Sequence, residues 1–178
     1  MIPAGCKPNA AVCCDAYYAV AESLAEIAFE ALVKCVAPSC EGMQVFVSHG
    51  PPVGTGNFIS AWHVSTVFPG SDDQRERFIS RAVGTYTVRL MESGYPTIRN
   101  APSGGFTLPQ RDEIDAIAQH SYGHGEQVLR AIVNAKAAGR TPLKRCSSVA
   151  LVSYVPLRIS AGYSGHDITV ALDLPWQR

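Results

Sequence analysis

Ala82 to Met91, AVGTYTVRLM, alternates as a strand does: Tyr86, Val88 and Leu90 share one face, and Thr85, Thr87 and Arg89 share the other. β-Branched and aromatic residues dominate it, so it reads as a central strand that packs on its neighbours. A central strand needs partners, and the end of the chain supplies two runs. They are Cys146 to Ile159 (CSSVALVSYVPLRI) and His166 to Leu174 (HDITVALDL), joined by the turn-rich SAGYSG of residues 160–165. Together they predict a C-terminal β-hairpin. In its second strand Ile168, Val170, Leu172 and Leu174 point one way, and Thr169, Ala171 and Asp173 the other. A small, polar second face suits a sheet that helices cover on one side only. Pro156 predicts an edge position or a bulge for the first strand, because proline cannot donate to a ladder.

Working outward, Trp62 to Phe68 alternates again, with Trp62, Val64 and Thr66 on one face and His63, Ser65 and Val67 on the other. Met43 to Ser48 is a short β run. Between them, residues 49–60 hold Gly50, Pro51, Pro52, Gly54 and Gly56 and predict a loop. A second Pro/Gly-rich loop is predicted near residues 95–108, and a short polar helix capped by Ser71 over residues 72–80. Two long helices complete the pattern. From about Ala11 to Val36, Tyr17, Val20, Leu24, Ile27, Ala31 and Leu32 recur at helical spacing, Glu22, Glu26, Glu30 and Lys34 lie mostly opposite, and Pro38 stops the run. The other helix starts near Pro109, with Asp112, Glu113 and Asp115 at its positive end. Ile114, Ile117, Val128, Leu129 and Ile132 form its stripe, and Gly139 is its stop. Gly123 and Gly125 predict a weak middle, open to a kink. The expected fold is a single α+β domain over residues 1–178: a mixed, mostly antiparallel sheet, two long helices packed on one face, a C-terminal β-hairpin, and loops protruding near residues 49–60 and 95–108.

Composition narrows the function. Hydrophobic residues make up 47% and charged residues 17% of the 178, with 15 basic against 15 acidic side chains. That is a globular balance, and it carries no basic run of the kind that grips nucleic acid. Zero net charge also removes the self-repulsion that opposes close packing of identical subunits. No apolar stretch predicts a membrane span, and Met1 to Lys7 does not read as a signal peptide. Six cysteines, Cys6, Cys13, Cys14, Cys35, Cys40 and Cys146, contain no Cys-x-x-Cys pair and read as free, largely buried thiols. Cys35 and Cys40 are the pair that oxidation would join.

Few motifs suggest chemistry. His120 and His124 stand four apart in HSYGHGE, a spacing that puts two side chains on one helix face. The residue after the first histidine is Ser121, where a metalloprotease needs glutamate, and Glu126 lies two beyond the second. The plain reading makes these surface histidines; the alternative is a metal-dependent hydrolase using His120, His124 and Glu126. GPPVGTG at 50–56 lacks the Lys-Ser/Thr of a phosphate-binding loop, and Gly162–Gly165 has the wrong spacing for a nucleophile elbow. The expectation is therefore a non-enzyme without metal or cofactor. Trp62, Trp176 and the arginines Arg75, Arg77 and Arg81 are its candidate interface residues, as aromatic and guanidinium groups are favoured at subunit contacts.

The N-terminal helix CDAYYAVAESLAEIAFEAL, the strand VGTYTVRLMESGYPT and the closing SYVPLRISAGYSGHDITVALDLPW follow one another in an order that resembles the tail terminator proteins of long-tailed actinobacterial bacteriophages. The likeness runs from about Val12 to Trp176. It rests on element order and on the terminal hairpin, with its Pro-Leu pair, its Gly-x-x-Gly turn and a final alternating strand ending in Trp. The cysteines and the Pro/Gly insertions depart from the pattern. The resemblance implies a virion protein made in the host bacterial cytoplasm. It would form a homo-oligomeric ring, usually a hexamer, that caps the tail tube protein and joins it to the head–tail connector protein. Another connector or stopper ring of the same junction is the near alternative.

Overall fold

A computed structural model describes residues 8–33, 42–53, 56–67, 81–93, 99–100, 104, 106–107, 110–140, 143–159 and 163–175. The order is α1 (Pro8–Val33), β1 (Gln44–Val47), β2 (Phe58–Val67), β3 (Arg81–Ser93), β4 (Arg99–Asn100), β5 (Phe106–Thr107), α2 (Arg111–Ala135), β6 (Val149–Ile159) and β7 (Tyr163–Pro175). Five strands form one mixed sheet in the order β1-β2-β3-β7-β6, and β4 and β5 pair separately. Only β1 and β2 are parallel; β2, β3, β7 and β6 pair antiparallel in turn. This is the expected α+β architecture, with AVGTYTVRLM at its centre. The predicted short helix over residues 72–80 lies outside the described residues.

Both helices pack on one sheet face. Val20, Leu24, Ala28 and Leu32 of α1 and Val128 and Ile132 of α2 share a buried cluster with Ile59, Ala61, Tyr86, Val88, Leu90, Ile168, Val170 and Leu172. Burying these side chains is the main favourable term in folding, roughly 1.5–3 kcal/mol for each large one. Arg140, just past α2, pairs with Glu30 of α1 and ties the helix ends together. The stop at Gly139 holds. Its φ is 71°, its N–H donates to Lys136 O at 3.0 Å, and Arg140 N–H donates to Ala135 O at 3.2 Å, the two bonds of a Schellman motif.

Three expectations change. The predicted loop 49–60 ends early: Phe58, Ile59 and Ser60 are buried β2 residues opposite Met91, Leu90 and Arg89. Their short apolar run was masked by the prolines and glycines before it. The alternation from Trp62 breaks at a bulge between His63 and Ser65, which leaves Val64 exposed while Trp62 is buried. The weak middle of α2 does not break; the helix is continuous through Gly123 and Gly125. Pro156 sits where expected, on the edge strand β6.

The face without helices is not bare. Arg89 bonds Asp167 through two nitrogens, Nε to Oδ1 at 2.7 Å and NH2 to Oδ2 at 2.8 Å. Its guanidinium lies 5.4 Å from the Trp62 ring centre and donates to Pro52 O at 3.2 Å. The loop after β1 is thus drawn against the sheet at Pro52.

Candidate functional site

Alternation along β3 puts Glu92 in phase with Tyr86, Val88 and Leu90, on the face that meets the helices. Glu92 is buried there at 4% exposure, and its Oε1 shares a hydrogen bond of 2.6 Å with Nδ1 of His124 on α2. His120, one turn earlier on α2, is exposed, and its ring centre is 4.1 Å from that of His124. One ligand atom from each of Glu92, His120 and His124 lies within 4.8 Å of the others. Glu92 Oε2 has no partner.

The buried polar cluster continues inward. Ser121 Oγ and His166 Nε2 share a hydrogen bond of 3.0 Å, and Ser164 Oγ donates to Ser121 Oγ at 3.2 Å. His166 stacks on Tyr154, centre to centre 5.2 Å. Its Nδ1 and the Tyr154 hydroxyl are both buried without a partner. Burial holds the His166 pKa below the usual imidazole value and raises that of Tyr154. Gly125 makes this packing feasible. A Cβ there would overlap Tyr154 Oη and stand 3.0 Å from His166 Cγ, so this close approach of α2 to β6 and β7 depends on the missing side chain.

The predicted set of His120, His124 and Glu126 is therefore corrected in two ways. His124 is a buried, carboxyl-bonded residue, not a surface one. Glu126 points elsewhere: it is exposed and pairs with Arg130 at 3.3 Å, one turn along the helix. The third member is Glu92. A signal for it existed, since an acidic residue continuing the apolar phase of β3 demands a partner on the core side. His166 carries the same signal in phase with Ile168 and Val170. Ser164, the residue of the rejected elbow, is a buried β7 residue facing this cluster.

The candidate interface residues are described only in part. Arg75, Arg77 and Trp176 lie outside the described residues, as do Cys6, Cys35 and Cys40. Arg81 is the first residue of β3, and Trp62 is buried within the chain at 5% exposure. What the structure does expose is β6. It pairs only with β7 among the described residues, and Leu151, Val152 and Val155 on it are 47%, 56% and 46% exposed. At the opposite end of the sheet, α1 and β1 border a groove of about 650 Å³ lined by Tyr18, Glu22, Glu26, Phe29, Val45 and Phe46 among others. Cys146 is a buried free thiol, as expected, and burial pushes its pKa up to about 11.

Comparison of the chain with protein-family models gives no match, and comparison with curated proteins gives none either. No helix among the described residues is long and apolar enough to cross a membrane.

Proposed function

We propose that this chain is a structural virion protein, a tail terminator whose copies close into a ring on the tail tube and present a docking surface to the head connector. The observation that carries the reading is strand β6. An edge strand with three exposed large apolar side chains is what a monomer avoids, because unpaired N–H and C=O groups beside apolar surface invite another chain. A head-to-tail contact between unlike surfaces generates rings when the rotation closes. The two ends of this sheet offer such a pair: β6 at one, the groove of α1 and β1 at the other. Glu22 and Glu26 line that groove, so a neighbouring copy would complement it with basic side chains. The resemblance in element order supplies the biological setting and the count of six.

The test is genetic and visual. A phage lacking this gene should assemble tails of irregular length that fail to join heads. Tails of normal length on infectious particles would contradict the assignment.

A further inference from the structure

We propose that Glu92, His120 and His124 bind one divalent transition-metal ion, of the zinc class, at the junction of α2 and β3. The inference does not depend on the ring reading. Two imidazoles and one carboxyl group are a donor set suited to zinc and its neighbours, and less suited to magnesium or calcium, which take oxygen ligands. The i, i+4 spacing on an unbroken helix brings both imidazoles to one place, and β3 supplies the third group from a different element. A pair of surface histidines would explain the spacing but not Glu92. That carboxyl is 4% exposed, and one of its two oxygens has no partner, an arrangement that is costly unless something else satisfies it. The bond between His124 Nδ1 and Glu92 Oε1 also holds the His124 ring against the carboxyl group.

The spread of the three groups fits. Donors around one zinc ion at about 2.0–2.1 Å stand roughly 3.3 Å apart in a tetrahedral arrangement. The ligand atoms here all lie within 4.8 Å of one another, and the exposed His120 is the side chain that would turn to close the difference. Exposure of His120 also leaves a path for the ion from solvent. Bound there, the ion cross-links α2 to the end of the central strand.

The full-length protein, stripped with a chelator, is titrated with Zn²⁺ and with Co²⁺. The expected result is one ion per chain, a Tm raised by roughly 5 °C or more in excess metal, and a cobalt spectrum typical of four-coordinate nitrogen and oxygen ligands. His120→Ala, at an exposed position, should keep the wild-type Tm without metal and weaken binding by about tenfold or more. Glu92→Gln should weaken binding as well. Absence of binding and of any thermal shift overturns the proposal. So does binding that His120→Ala leaves intact, or a cobalt spectrum with thiolate charge-transfer bands, which would assign the ion to cysteine.

Discussion

Gly125 shows how one position sets the packing of a whole helix. Glycine to alanine inside a helix ordinarily stabilises by about 0.5–1 kcal/mol. Here the added methyl meets Tyr154 Oη and the His166 ring, so Gly125→Ala should instead destabilise by about 1–3 kcal/mol in denaturant unfolding. His166 makes a pH-dependent prediction. Its folded pKa lies below the unfolded value of 6.5, so the unfolded chain binds the extra proton. Stability is complete above pH 6.5 and falls as the pH drops toward the folded pKa. Thermal unfolding followed from pH 7.5 down to 5 should show that loss, and His166→Gln should flatten it. Glu92 and His124 lie nearby, and Asp167 stands next to His166 in the chain. Cys146 behaves in the opposite sense. Its pKa of about 11 keeps it protonated, so an alkylating reagent at pH 8 should leave it unmodified until the protein unfolds.

At the scale of elements, much of the fold was legible because its signals are local. Tyr86, Val88 and Leu90 announce β3 by alternation, Ile168, Val170 and Leu172 announce β7, and Gly139 marks the end of α2 with a left-handed φ that glycine adopts freely. The parallel pairing of β1 with β2 was not legible, because register between strands leaves no mark in either strand alone. The bulge at Val64 hid for a similar reason: one extra residue reverses the phase without changing composition. The candidate site was half legible. His120 and His124 lie on one helix and declare themselves by spacing, whereas Glu92 reaches them across a tertiary contact between β3 and α2. The same reasoning gives predictions for β7. Val170→Asp buries an unpaired charge among Leu24-class side chains and should abolish folding, seen as loss of soluble protein. Asp167→Ala strands the Arg89 guanidinium on the half-covered face and should cost about 3 kcal/mol in chemical denaturation.

For the whole molecule, the sheet has one face sealed by two helices and a second held by Arg89, Asp167 and Trp62, so neither face is the evident docking surface. The ends of the sheet remain. The assembly proposed through β6 would account for Leu151, Val152 and Val155 staying apolar where a monomer would place charge. Replacing Val152 and Val155 together by lysine should therefore leave the fold intact, by circular dichroism and Tm, and abolish self-association. The most direct measurement is electron microscopy of the purified protein at high concentration, paired with sedimentation of the same sample. Closed rings of uniform size, lost in the double lysine variant, are the predicted result. A folded monomer at every concentration, alone and with isolated tail tubes, would contradict it.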